Sequence, residues 1–170
     1  MTDTQKKPLW KNELVWLFLL TSGLFAILYS KFILGGYAYV FTDTGADTMQ
    51  INYAQYGLFS SLFRSGESGY VLQAGLGMDV SSYYPAYLIP YNLLILLAPQ
   101  RLLPWAVLAS AYLKMITISL VGYLFYRKLM QDGIGTMAAA LAWTFSGYVI
   151  LWGQHYGFCT CMALFTVFMY

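Results

Sequence analysis

Charged residues are scarce in this chain. Asp, Glu, Lys and Arg together make up 9% of its 170 residues, whereas hydrophobic residues make up 59%. Soluble domains carry about 25% charged residues, and a soluble protein cannot keep so apolar a surface in water. The shortage of charge therefore excludes a soluble domain and indicates that lipid surrounds most of the chain.

Other features of the chain are also sparse. The formal net charge is only +2, and Lys and Arg form no cluster that could follow a phosphate backbone, so we expect no nucleic-acid partner. The two cysteines, Cys159 and Cys161, share one apolar run, where a metal site would need more ligands than are present; we interpret them as buried thiols and predict no metal-ligand set. Gly75 and Gly77 lack the strand and helix that a G-x-G-x-x-G loop requires, so we expect no nucleotide cofactor.

Long apolar runs predict an all-α polytopic membrane protein. Residues 14–34 form a run that matches the roughly 30 Å hydrocarbon core of a bilayer. Lys6, Lys7 and Lys11 precede this run and place the N-terminus in the cytoplasm. The predicted order is cytoplasmic 1–13, span 14–34, external 35–103, span 104–126, cytoplasmic 127–133, span 134–152, external 153–157 and the start of a further span at 158–170.

One run, residues 86–98, allows two topologies. It is bounded by Pro85 and Pro99 and broken by Pro90, and runs of 10–14 residues are typical of interfacial or re-entrant segments. If it spans the membrane, Arg127 and Lys128 fall outside, against the positive-inside rule; if it lies along the outer face, they fall in the cytoplasm. We prefer the second arrangement. Because the chain ends within an apolar run, we also expect it to be the N-terminal part of a larger protein or a truncated reading frame.

The external segment, residues 42–85, contains four of the seven acidic residues. Apolar residues at 49, 53, 56, 59 and 63 predict an amphipathic helix over 47–63 that lies in the membrane interface. Asp47 occupies the N-cap position of this helix, with Gln50 three residues on, as in a capping box. Gly75 and Gly77 predict a tight loop before Asp79. The four acids are Asp43, Asp47, Glu67 and Asp79.

The order of short motifs from about residue 35 to the end resembles the N-terminal region of the YfhO-type bacterial membrane proteins. The motifs are TDTGADTMQINYAQY, GLGMD, SSYYPAYLIPYNLLILLAP, LPWAVL, AYLKMITISLVGYLFYRKL and LAWTFSGYVILW. The resemblance implies a GT-C-like helical bundle and a glycosyltransferase that uses a polyprenyl-phosphate-linked sugar outside the cytoplasmic membrane, with acceptors such as lipoteichoic acid. In that fold the first external loop carries an essential acid and juxtamembrane helices. Where an acid is expected after the third span, this chain has Gln154-His155-Tyr156-Gly157.

Sugar transfer from a polyprenyl phosphate needs a base for the acceptor hydroxyl and positive charge for the departing phosphate. The candidates for the catalytic base are Asp47 and Asp43. A divalent cation is a possible cofactor, because a bound metal could also stabilise the phosphate. Lys114 is a candidate because an ionisable residue near the middle of a span usually marks a functional site or faces a partner. The substrate-binding candidates are Asp79, Arg101, Lys114, Gln50 and His155.

Each candidate also has a structural interpretation. A helix cap would by itself account for Asp47. Turn formation would account for Asp43 and Asp79, and a position at the membrane interface would account for Arg101 and His155. Lys114 can pair with a carboxylate of the remaining chain. Two other functions therefore stay open: a transporter or flippase component, and an inactive truncated membrane protein.

Overall fold

The structure is a computed structural model that describes residues 12–40, 48–67, 69–72, 77–82, 89–130, 132–153, 155 and 158–170. These residues are mostly helical, which confirms the prediction of a helical protein at that level. In chain order the helices are α1 (Glu13–Leu28), α2 (Ser30–Leu34), α3 (Tyr53–Ser65), α4 (Leu93–Leu97), α5 (Leu103–Leu129), α6 (Gly133–Thr144), α7 (Gly147–Trp152) and α8 (Phe158–Met169). The remaining elements are a π-helical turn (Thr48–Asn52), two 3-10 turns (Val80–Ser82 and Gln100–Leu102) and the strands β1 (Tyr70–Val71) and β2 (Met78–Asp79).

The long helix α5 lies at the centre of the fold. It packs against α1, α4, α6 and α8. Pro104 is accommodated in its first turn, where a missing N–H costs no hydrogen bond. Its buried side chains recur every three or four residues, so that several faces are covered by neighbouring helices. They include Leu103, Val107, Ser110, Ala111, Lys114, Met115, Ile118, Ser119, Gly122 and Tyr123.

Helix α1 is joined to α5 by side-chain hydroxyls as well as by apolar packing. Thr21 Oγ1 and Ser119 Oγ lie 2.7 Å apart and both residues are fully buried. Ser22 Oγ lies 2.8 Å from the Tyr112 hydroxyl. Because a buried hydroxyl has no water to bond to, such polar pairs favour a single helix–helix register.

The apolar run 14–34 forms two helices rather than the single one that the sequence predicts. Asn12 caps α1 by accepting the Leu14 N–H at 3.0 Å. The helix ends at Tyr29, whose ring stacks on Phe25 with centroids 4.3 Å apart and meets Tyr39 edge-on at 5.1 Å. The aromatic packing of Tyr29 thus coincides with the break between α1 and α2.

The run 134–152 is also divided. Asp132 caps α6 by accepting the N–H groups of Ile134 and Gly135 at 3.2 and 2.7 Å. The helix ends at Thr144, and Ser146 is extended before α7 begins. His155, which follows α7, reaches the middle of α5, where Lys114 donates to its backbone oxygen.

Residues 69–82 contain one element that the sequence does not predict. Strands β1 and β2 pair antiparallel, with Tyr70 opposite Asp79 and Val71 opposite Met78. Gly77 adopts φ +107°, and a Cβ on it would overlap the Tyr70 hydroxyl. Gly77, one of the two glycines of the predicted tight loop, therefore precedes β2 in a conformation that favours glycine, whereas Gly75 lies outside the described residues.

Within the described part of the chain, one helix is long and apolar enough to cross a bilayer by length and composition. It covers Gln100–Leu129, 30 residues when the preceding 3-10 turn is included, or about 45 Å at 1.5 Å per residue. Two shorter apolar helices are Glu13–Leu28 and Cys159–Met169.

Candidate functional site

Lys114 lies at the centre of a buried polar cluster. It follows Ser110 by one turn of α5, and only 2% of its surface is exposed. Its Nζ atom donates a hydrogen bond to the backbone oxygen of His155 at 3.3 Å. Among the residues that the structure describes, no carboxylate forms an ion pair with Lys114. A buried ammonium group in this position costs free energy unless an anion or further acceptors reach it.

His155 is brought to Lys114 by the turn that follows α7. Its backbone N–H donates to the Trp152 carbonyl at 3.1 Å, and its ring meets the Trp152 indole edge-on at 5.0 Å. Gly153 lies in this turn, where a Cβ would come within 2.7 Å of the Tyr39 hydroxyl. The small residue at 153 therefore lets the turn lie close to the chain that leaves α2.

Asn52, from the turn before α3, completes the cluster. It ends the π-helical turn that leads into α3 and is buried. Its side-chain Nδ2 lies 3.1 Å from Nδ1 of His155, although the two residues are 103 positions apart in sequence. π-Helical turns are wider than α-helical ones and recur at functional sites. The turn thus places an amide side chain against the imidazole inside the protein.

A second polar pair extends the cluster along α5. Ser110 Oγ lies 3.5 Å from the Asn92 side-chain oxygen, and both residues are buried. Asn92 precedes α4. Polar side chains therefore line the inner side of α5 over one turn, from Ser110 to Lys114. We call Asn52, Asn92, Ser110, Lys114 and His155 the buried polar cluster.

Aromatic side chains pack together beside the turn that carries His155. Tyr39 is buried against Tyr29 and Phe32. Burial raises the pKa of the Tyr39 phenol well above its usual range, so the phenol stays neutral and can donate a hydrogen bond. The sulfur of Cys159, in α8, lies 3.5 Å from the Val149 carbonyl oxygen. Cys159 is buried, as predicted, whereas Cys161 is exposed, so the prediction of a buried thiol is wrong there.

The structure separates the predicted site residues into two groups. Lys114 and His155 are brought together inside the protein, although they come from different elements. Gln50, Asp79 and Arg101 lie at the surface. The candidate bases Asp43 and Asp47 lie outside the described residues, and so does the N-cap predicted at Asp47.

Asp79 has a structural role at the surface. Its Oδ1 accepts the Ser81 hydroxyl at 2.6 Å and the Ser81 backbone N–H at 3.0 Å. These hydrogen bonds lower the pKa of the Asp79 carboxyl from its ordinary value of 3.8. Asp79 thus forms the turn that is its structural interpretation in the sequence analysis.

Arg101 and Gln50 differ from the cluster in their surroundings. Arg101 lies in the 3-10 turn before α5, beside Gln100, whose side chain donates to the Gly57 carbonyl at 2.6 Å. Gln50 lies in the same π-helical turn as Asn52 but is exposed. The π-helical turn therefore directs one amide inward and leaves the other in solvent.

Sequence reasoning missed Asn52 because it assumed an α-helical period throughout residues 47–63. The predicted apolar face included Met49 and Phe63, which are exposed at 53% and 37%. Tyr56 and Phe59 are buried as that period requires, together with Leu62. A π-helical turn advances by a different angle per residue from an α-helix, which shifts the face before residue 53. No signal in the sequence marks that turn.

Metal-binding side chains do not gather in the described part of the chain. No group of three or more His, Cys, Asp or Glu residues lies close enough there to hold an ion. The side chains of the buried polar cluster are instead an ammonium, an imidazole, two amides and a hydroxyl. Such hydrogen-bonding groups suit an oxygen-rich or anionic ligand.

No protein-family model, no curated protein and no solved structure matches this chain.

Proposed function

We propose that the chain forms part of a polytopic membrane glycosyltransferase. It would transfer a sugar from a polyprenyl-phosphate donor to an extracytoplasmic cell-envelope acceptor such as lipoteichoic acid. The observation that carries this proposal is the position of Lys114. A buried ammonium group in the long apolar helix contacts the chain after α7, and that chain in turn contacts Asn52 of the external segment.

Membrane helices rarely keep such a group without a function. An ionisable side chain inside a spanning helix is costly, and it usually faces a ligand, a partner or a water-filled cavity. A polyprenyl phosphate combines an apolar tail, which stays in the bilayer, with a phosphate that needs cationic and hydrogen-bonding partners. Lys114 supplies positive charge, and His155 and Asn52 supply polar side chains beside it. The cluster thus has the chemistry to receive the phosphate end of the donor.

The proposed topology places the external segment and residue 155 on the same side of the membrane. Basic residues Lys6, Lys7, Lys11, Arg127 and Lys128 then lie in the cytoplasm. Helix α4 has five residues, about 7.5 Å at 1.5 Å per residue, which favours an interfacial position for residues 86–98. The contact between Asn52 and His155 is compatible with this arrangement, because both residues lie in segments assigned to the outer side.

The base in this proposal is Asp47 or Asp43, as the resemblance to the YfhO-type proteins implies. Asp47 directly precedes the π-helical turn that carries Asn52. A carboxylate there would take the proton of the acceptor hydroxyl as it attacks the sugar. The C–O bond between the sugar and the phosphate breaks in the same step, and the polyprenyl phosphate leaves with the bonding electrons.

The test compares sugar transfer by variants of the full-length protein. Membranes from a bacterial strain that lacks the gene are complemented with wild-type protein, Asp47→Asn or Asp43→Asn and given polyprenyl phosphates carrying labelled hexoses. We expect wild-type membranes to move label into cell-envelope polymer and at least one of the two variants to lose that activity while inserting normally. Glu67→Gln, which changes an exposed acid of the same segment, is the matched control and should retain transfer.

The same assay separates the enzyme from a transporter. A transporter or flippase component would move the labelled lipid across the bilayer intact, without release of polyprenyl phosphate. Undiminished transfer of label by both acid variants, or movement of intact lipid alone, would contradict the proposal.

A further inference from the structure

Asn52 and His155 form the longest-range side-chain hydrogen bond in the buried polar cluster, and its atoms define the role of the imidazole. Asn52 Nδ2 lies 3.1 Å from His155 Nδ1. With its amide nitrogen toward the ring, Asn52 donates this hydrogen bond and Nδ1 accepts it through its lone pair. The proton of a neutral imidazole then lies on Nε2.

Lys114 acts on the same residue from the other side. Its ammonium donates to the His155 backbone oxygen, which holds the main chain of residue 155 in place. Asn52 therefore selects the tautomer of His155 that accepts at Nδ1 and donates through Nε2, while Lys114 holds the backbone of the same residue.

We propose that Asn52 is a positioning residue that fixes His155 as a hydrogen-bond donor, not as a base. The ligand group that suits such a donor next to Lys114 is an anionic oxygen, such as a phosphate oxygen. This inference rests on the proposed function for the identity of the ligand. The tautomer and its dependence on Asn52 follow from the contacts alone.

The chain contains a single histidine, which makes the tautomer directly measurable. The 170-residue chain, labelled with ¹⁵N-histidine and purified through a tag without histidine, gives the imidazole signals of residue 155 alone. Protonated and unprotonated ring nitrogens have well-separated ¹⁵N shifts. We expect wild-type protein in detergent at neutral pH to show a protonated Nε2 and an unprotonated Nδ1.

Asn52→Asp changes the donor into an acceptor at nearly constant volume. The carboxylate should draw a proton to Nδ1, either by reversing the tautomer or by producing the imidazolium. Gln50→Glu makes the matched amide-to-acid change at the exposed position of the same π-helical turn and should leave the wild-type pattern unchanged. A wild-type ring protonated at Nδ1, or identical spectra for wild type and Asn52→Asp, would overturn the inference.

Titration with a short-chain polyprenyl phosphate and, separately, with inorganic phosphate tests the ligand. We expect the Nε2 signal of the wild-type protein to move with the lipid phosphate and to move less with free phosphate at equal concentration. Movement with neither compound would contradict the donor role while leaving the tautomer result standing. Sugar transfer by Asn52→Asp should fall roughly ten- to a hundred-fold, the loss typical when a partner that orients a functional histidine is removed.

Two substitutions of His155 distinguish its role as a hydrogen-bond donor from a role as a base, and neither changes Asn52. His155→Gln places an amide N–H near the position of Nε2, whereas His155→Glu places an acceptor there. Greater retained transfer in His155→Gln than in His155→Glu supports the donor role, and the reverse order contradicts it. Absence of transfer by the wild type together with the expected tautomer would refute the glycosyltransferase proposal and leave the positioning role of Asn52 intact.

Discussion

Lys114 Nζ donates to the His155 backbone oxygen at 3.3 Å and thereby joins the middle of α5 to the turn after α7. One carbonyl is a weak counterpart for a buried ammonium group, because burial removes the water that would solvate the charge. The contact therefore orients Lys114 without neutralising it. If Lys114 has a functional role, the fold should gain little or no stability from its charge.

We predict that Lys114→Met leaves the free energy of unfolding unchanged or raises it. Methionine fills a similar volume, and an apolar residue of similar size in place of a buried charge is often neutral or stabilising. The lost hydrogen bond from the charged Nζ atom to the His155 carbonyl should cost about 1.5–3 kcal/mol, which removal of the buried charge offsets. Thermal unfolding in detergent, followed by circular dichroism, measures the change.

The change in the free energy of unfolding distinguishes a ligand-binding role of Lys114 from a structural ion pair. If a carboxylate outside the described residues balances Lys114, its loss would leave that acid buried and alone, at a cost of about 3–5 kcal/mol. Destabilisation of that size in Lys114→Met would contradict the functional reading. Lys128→Met, which removes an exposed cation from the same helix, is the control.

The Thr21–Ser119 pair should contribute to the packing of α1 on α5. Its hydroxyl oxygens lie 2.7 Å apart in a fully buried position. We predict that Thr21→Val and Ser119→Ala each destabilise the protein and that the double variant is less destabilised than the sum. The expected coupling energy is about 0.6 kcal/mol and at most about 1.7 kcal/mol, the range measured for hydrogen bonds between membrane helices.

A double-mutant cycle in detergent measures this coupling. The control is Thr117→Val on the same helix, since the Thr117 hydroxyl donates within α5 to the Leu113 carbonyl. No coupling should appear between Thr21→Val and Thr117→Val. Strictly additive effects of Thr21→Val and Ser119→Ala would show that the hydrogen bond contributes nothing to the α1–α5 interface.

Gly77→Ala should disrupt the β1–β2 hairpin. Alanine is strained at φ +107°, which costs about 1–3 kcal/mol, and its Cβ would overlap the Tyr70 hydroxyl. Gly36→Ala is a matched control, because Gly36 also has positive φ, +70°, but no atom lies within 4 Å of its added Cβ. Limited proteolysis of the external segment should be faster for Gly77→Ala than for Gly36→Ala. Equal rates would mean that contact with Tyr70 is unimportant.

Cysteine labelling in intact cells should establish the sides of the membrane. Cys159 and Cys161 are first replaced by alanine, and single cysteines are placed at the exposed positions Ser81 and Met130. We predict that a membrane-impermeant maleimide labels Ser81→Cys in intact cells and labels Met130→Cys only after permeabilisation. Labelling of both or of Met130→Cys alone in intact cells would contradict the proposed orientation.

The sequence predicted the helices best where hydrophobic period and length agree. The run 104–126 lies within α5, which extends from Leu103 to Leu129. The runs 14–34 and 134–152 were each predicted as one helix, yet breaks occur at Tyr29 and before Ser146. Aromatic packing and local backbone angles determine where such helix breaks occur. The apolar composition of a run does not predict them.

The candidate site could be predicted only in part. An ionisable side chain in an apolar run singled out Lys114, since membrane helices rarely carry one without a reason. Its meeting with His155 and the inward position of Asn52 depend on contacts across 41 and 103 residues. Non-local contacts of this kind come from tertiary packing, which no local pattern records.

The most direct test of the proposed site is sugar transfer by a Lys114 variant that is known to be folded. Full-length wild type, Lys114→Met and Lys128→Met are reconstituted into vesicles at equal amounts and given labelled polyprenyl-phosphate hexose with cell-envelope acceptor. Loss of one charge-assisted contact to phosphate, worth about 1.5–3 kcal/mol, predicts a fall of about ten- to a hundred-fold in transfer by Lys114→Met. Lys128→Met should match the wild type. Equal transfer by all three proteins would contradict the assignment of the buried polar cluster to the lipid-linked donor.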